Sequence, residues 1–165
     1  MIKLSELKFA PVECSCGTCR MMCEYRPCWP TPQEARKMID AGLAPKMMLD
    51  WWEGERYDDG TEDIYILCPA AVGFEGQRAP GGFMFSMPKL TCNLLKSGLC
   101  SIHDSGFKPI EGRMAYHDGS RGDTHEATAE SWNNREAQAL VLEWMKLVGY
   151  LGWQRDDLES LMALE

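Results

Sequence analysis

Five cysteines fall within the fifteen residues CSCGTCRMMCEYRPC, at Cys14, Cys16, Cys19, Cys23 and Cys28. An apolar core does not ask for that density. Thiols so crowded bind each other, a metal or a substrate. Cys16 and Cys19 form a Cys-x-x-Cys unit, and two thiolates at that spacing reach one tetrahedral ion, with metal–sulfur distances near ~2.3 Å for zinc. Gly17 removes side-chain obstruction where the backbone turns around the ion. A redox dithiol of the same spacing expects a strand before it and a helix after it. The crowd of Cys14, Cys23 and Cys28 favours chelation instead. Cys14 sits too near Cys16 to close easily on the same ion, and suits a second ion or a bridge.

Three further cysteines, Cys68, Cys92 and Cys100, bring the total to eight. One tetrahedral ion cannot satisfy five thiols, so the N-terminal group is expected to recruit from these three. Eight suffice for two Cys₄ sites, whether two zinc ions or two iron–sulfur clusters, or for one multinuclear zinc–thiolate cluster. His103, in CSIH, has an acceptable ligand spacing from Cys100, although a single histidine beside an apolar strand is more often structural. His117 and His125, with Asp118 and Asp123, could make an N/O site for zinc or non-haem iron. A polar surface loop is the preferred account of that stretch.

CGTCRMMC, then TPQEARKM, and later CNLLKSGLCSIHDSGFKPIEGR resemble the YkgJ-type cysteine-cluster family, whose domains are associated with zinc or iron chelation. The family pattern is CxxCxxCC near the start and then a helix. Much later come a cysteine, a short spacer, CSIY and an Arg-Pro-x-x-Cys-Arg segment. The resemblance covers roughly Cys14 to Arg113. It implies ligand roles for Cys16, Cys19, Cys23, Cys92 and Cys100, with approximate counterparts in Cys28 and Cys68. Three departures stand out. RMMC replaces the doubled cysteine, with Cys23 one position after where its first cysteine would fall, His103 replaces the tyrosine, and Gly112 replaces the cysteine of the last segment. Cys28 or His103 is the expected substitute for that missing ligand.

The elements that must carry these groups are legible in part. Thr31 as N-cap, Pro32 at the first helical position and Glu34 three residues after the cap predict a helix over Pro32–Ala41, closed near Gly42. Met47–Trp52 is a bulky apolar run, strand or short helix, with its tryptophans as core or interface anchors. Ile64 to Cys68 reads as a strand stopped by Pro69. Gly73–Gly82 reads as loop, Phe83–Met87 as a short strand, and Lys96–Gly98 as a turn. A long helix is expected from Glu126 to Tyr150, its apolar stripe made of Trp132, Leu140, Val141, Trp144, Leu147, Val148 and Leu151. A last amphipathic helix is expected over Asp156–Leu164. The expected fold class is α+β, one metal-organised domain over residues 1–165, with the cluster region about 14–113 and the C-terminal helices about 126–164.

Composition narrows the function. A net charge of −8, from 17 Lys+Arg against 25 Asp+Glu, disfavours a nucleic-acid partner, which needs clustered base. No stretch has the ~18 apolar residues of a membrane helix, so no membrane partner is expected. MIKLSELKFAPVE is interrupted by Lys3, Glu6 and Lys8 and does not read as a signal peptide. A cytoplasmic location follows as an expectation, and thiols there favour metal over disulfides. No nucleophile elbow, Walker loop, dinucleotide fingerprint or HExxH motif is present, so no enzyme activity is assigned. The leading expectation is structural zinc, with a protein partner possible through the tryptophans. An iron–sulfur cluster serving redox or a modification enzyme is the alternative, and a metal carrier or sensor the third reading.

Overall fold

The computed structural model describes residues 17–52, 63–80, 89–114 and 122–150, with 17–19 and 122–123 as backbone alone. Cys14, Cys16 and His117, the strand expected at Phe83–Met87 and the helix expected at Asp156–Leu164 lie outside the described residues. The fold is α+β. In chain order it comprises α1 (Gly17–Tyr25), α2 (Pro32–Asp40), a 3₁₀ turn (Ala44–Lys46), β1 (Met47–Trp52), β2 (Ile64–Pro69), β3 (Leu95–Lys96), β4 (Leu99–Cys100), α3 (Ile110–Arg113), α4 (Gly122–Ser131) and α5 (Arg135–Val148).

Helix α2 forms where its local chemistry asks for it. Thr31 Oγ1 accepts from the Glu34 amide at 3.2 Å and Glu34 Oε2 accepts from the Thr31 amide at 2.9 Å, a reciprocal capping box. At the other end Ala41 is the C-cap. Gly42 follows at φ +79°, so that its amide reaches the Ile39 carbonyl and the Leu43 amide reaches that of Met38.

The apolar run Met47–Trp52 is a strand, paired antiparallel with β2 from Met47 opposite Pro69 to Trp52 opposite Ile64. The glycine-rich stretch after β2 does not wander off as free loop. It runs along the other edge of β1, where Leu49 donates to Gln77 and Ala79 donates to Leu49. This enclosure buries Met47, Met48, Leu49 and all of β2.

The long helix expected from Glu126 to Tyr150 is two helices. Asn134 takes an extended conformation and its Oδ1 accepts from the Ala137 amide at 3.0 Å, so it N-caps α5 and ends the preceding turn. Trp132 sits in the break, fully buried, its indole N–H donating to the Pro30 carbonyl at 2.8 Å. Trp144 does the same to Ala44 at 2.9 Å. Leu140, Val141 and Trp144 face the core, whereas Leu147, assigned to the same stripe, is 59% exposed. Among the described residues no helix is long and apolar enough to cross a membrane.

Candidate functional site

The last carbonyls of a helix have no partner inside it and must find one outside. For α1 the segment 90–92 supplies it. The Cys92 amide donates to the Cys23 carbonyl at 2.7 Å, Thr91 Oγ1 to Glu24 at 3.1 Å, and the Leu90 amide to Tyr25 at 3.2 Å. Two cysteines 69 positions apart are thereby held backbone to backbone (92 − 23). Cys92 is pinned from its other side by an antiparallel bridge to Ala71.

Cys100 arrives through the hairpin of β3 and β4, where Leu95 pairs with Cys100. Its two-residue turn has Ser97 at φ +50° and Gly98 at φ +76°, the conformation of a type I′ turn. Gly98 is required twice over. Arg20 of α1 crosses this turn, its Nε donating to the Gly98 carbonyl at 3.1 Å, and a Cβ at position 98 would fall 2.3 Å from Arg20 Nη2.

Cys28 is buried and fixed through its neighbour Trp29. The Trp29 amide donates to Glu111 Oε2 at 2.7 Å, and the Glu111 amide returns to the Trp29 carbonyl. The buried carboxylate of Glu111 also meets Nδ1 of His125. His125 stacks on Trp29 at 3.9 Å between ring centroids and stands edge-on to Trp52 at 5.3 Å. Its Nε2 accepts from Arg26 Nη1 at 3.2 Å, and Arg26 continues to Asp50 at 3.1 Å, where the Trp29 indole N–H also ends at 2.7 Å. Both ring nitrogens are engaged, so His125 braces Cys28 and does not belong to a polar surface loop. It lies in α4, with no His117 or Asp118 described beside it.

The electrostatics of four thiols are linked. A hydrogen bond from Cys28 holds the Cys23 thiol down at about 7, against burial and with help from the Lys108 ammonium. Cys28, giving that bond and buried, is pushed well up. Burial raises Cys92 to about 12, and raises Cys100 against the pull of Lys108. Cys23 therefore carries the first negative charge, and the negative charge on it is felt by Cys28, Cys92 and Cys100. Cys68 stands apart inside β2, fully buried, its thiol raised by burial first and by Asp50 second. It packs as a core residue and touches the set electrostatically through Cys92.

The structure thus hydrogen-bonds Cys28 to Cys23 and holds Cys92 backbone to backbone with Cys23, while Cys100 is linked to them only electrostatically and Cys68 is buried in β2. The five cysteines with described side chains are free thiols. Among the described residues, no group of three or more His, Cys, Asp or Glu side chains is arranged to hold a metal ion. Cys19 falls in α1, which begins at Gly17, inside the Cys-x-x-Cys unit. His103 is exposed and its Nδ1 accepts from Lys108 at 3.2 Å.

Sequence reasoning missed Lys108, Glu111 and Arg20. The available signal was FKPIEGRM, charged residues set among apolar ones, of which Lys108 and Glu111 are both 8% exposed. That burial marks them as working residues in the interior. Comparison with protein-family models, curated proteins and solved structures finds no match to this chain.

Proposed function

We propose that this chain is a cytoplasmic metal-binding protein whose thiolate site contains Cys23, Cys28, Cys92 and Cys100, most simply with structural zinc. The observation that carries this reading is the Cys28–Cys23 hydrogen bond together with the bond that ties Cys92 to Cys23 backbone to backbone, with Cys100 electrostatically linked to them through the β3–β4 hairpin. Soft thiols in that number match the donor set of a closed tetrahedral site. Bound there, the ion would cross-link the segments and its binding free energy would become folding free energy.

The resemblance to the YkgJ-type family belongs to this proposal. One further observation supports it: a Cβ at position 112, where the family pattern has cysteine, would lie 3.5 Å from Cys28 Sγ. The last segment of the pattern therefore packs against the thiols. Cys14, Cys16 and Cys19, close in sequence, are proposed as ligands of the same or a second ion, and Cys68 as a reserve thiol behind Cys92.

Metal content per chain tests the proposal, measured after anaerobic purification together with the visible spectrum. One or two zinc ions and no colour are expected, with loss of at least one ion in the double variant C23S/C92S. Iron with acid-labile sulfide would keep the thiolate site and replace zinc as its occupant. Absence of any metal, or metal retained in full by that variant, overturns the proposal.

A further inference from the structure

His125 is held between a buried carboxylate and a guanidinium. Its side chain is 28% exposed, and its Nδ1 meets Oε1 of Glu111, whose side chain is 8% exposed. Its Nε2 stands 3.2 Å from Nη1 of Arg26. A guanidinium has five N–H donors and no acceptor. Nε2 therefore presents its lone pair, and the one ring proton sits on Nδ1, where the Glu111 carboxylate accepts it. The ring is the neutral imidazole in one defined tautomer. Among the described residues, the charged groups that face it are Glu111 from α3 and Arg26 from the end of α1, with Asp50 of β1 behind Arg26. Trp29 and Trp52 are its aromatic neighbours, and Asp123 and Glu126 flank it in sequence.

The segment from Arg26 to Trp29 is anchored at both ends by this cluster. Arg26 is tied to His125, to Asp50 Oδ2 at 3.1 Å, and across the Trp29 ring at 4.4 Å from its centroid. Trp29 gives its amide to Glu111 Oε2 and its indole N–H to Asp50 Oδ2, each at 2.7 Å. His125 joins the two ends, holding Arg26 through one nitrogen and Glu111 through the other. We propose that His125 is a proton-operated latch on the segment between Cys23 and Cys28: the neutral ring fixes Arg26, and the ring that takes a second proton releases it. A proton on Nε2 turns an acceptor into a donor, so the Arg26 bond is lost and two cations face each other. Glu111 and Asp50 supply two carboxylates against one guanidinium, so the cluster has negative charge to receive that proton. Part of the ring is open to solvent, which gives the proton its route. The latch rests on these contacts and not on the occupant of the thiol site.

The test uses isotope-labelled full-length protein as purified, in wild-type, H125Q and R26M forms, across the range of about pH 5 to 8 in which histidines change charge. Nitrogen NMR of the His125 ring reports its tautomer and charge. Hydrogen exchange of the Arg26 and Trp29 amides, corrected for the intrinsic effect of pH, reports the segment; these amides are bonded to the Met22 carbonyl and to Glu111. The neutral ring is expected to carry its proton on Nδ1. As it takes the second proton, exchange in wild type should quicken about tenfold, the worth of one hydrogen bond to a charged group, with the same midpoint as the ring. H125Q and R26M should keep one corrected rate throughout. A neutral ring protonated on Nε2, a ring that stays neutral until the protein unfolds, or a titration that leaves the segment's exchange unchanged overturns the latch. An acid-quickened exchange that persists in H125Q overturns it as well. Should a variant fail to fold, the wild-type midpoints decide, because the latch requires them to coincide. Metal content is read separately, so the latch and the metal-binding reading fail independently.

Discussion

Cys23 is the residue at which the site declares itself. Its thiol is held at about 7 by the Cys28 hydrogen bond and Lys108, while that same bond and then burial keep Cys28 protonated well into the alkaline range, as burial does Cys92. In the stripped protein, iodoacetamide should therefore alkylate Cys23 before Cys28, Cys92 and Cys100, with a midpoint near pH 7. Uniform labelling near pH 9 would contradict the linkage. Stability follows with a worked sign. Cys23 has its proton affinity lowered on folding, so its contribution is full above about 9 and is lost as pH falls through about 7. Cys92 has it raised, so its contribution is full below about 9 and is lost as pH rises through about 12. The melting temperature of stripped protein should fall from pH 9 toward 12, most steeply in the middle of that range, and level off above it. At the same scale, H125A leaves the buried Glu111 carboxylate without its imidazole and should cost about 1–3 kcal/mol in urea unfolding.

Elements differ in how much of them the sequence discloses. Helix α2 was fully legible because Thr31, Pro32, Glu34 and Gly42 act within a few residues of one another. T31A should cost about 1 kcal/mol of stability, the usual worth of an N-cap. Glu34 was legible only as half of the capping box. Its second duty, accepting from the Ile110 amide at 3.0 Å and pairing with Arg113, reaches 76 and 79 positions along the chain. E34A should then exceed T31A by about 1–3 kcal/mol, and equal losses would show that the long-range contacts carry nothing. The break between α4 and α5 was missed because an apolar stripe runs across it. Asn134 was the available signal, and an N-cap outweighs periodicity where the chain must turn to bury Trp132. In the β3–β4 hairpin, G98A has to adopt φ +76° and displace Arg20. A loss of about 1–3 kcal/mol is expected, with the α1-to-hairpin contact loosened.

For the whole molecule, the α+β class and the early thiol cluster were readable from composition, capping and spacing. That Cys92 lies against Cys23 was foreshadowed only by a count, since five thiols exceed one tetrahedral ion. What places Cys92 beside Cys23 is tertiary: the orphan carbonyls of α1 take up the segment 90–92, whereas Cys68 is committed to the interior strand β2. No local pattern carries that information. Nor does one reveal that Lys108 and Glu111 fold inward beside Cys28. The central claim is that these thiols are the ligands of a metal. X-ray absorption at the K-edge of the metal in the anaerobically purified protein tests it most directly. The account expects a first shell of about four sulfur atoms at ~2.3 Å, reduced in C92S. A shell of nitrogen and oxygen, or a protein with no metal to measure, would contradict it.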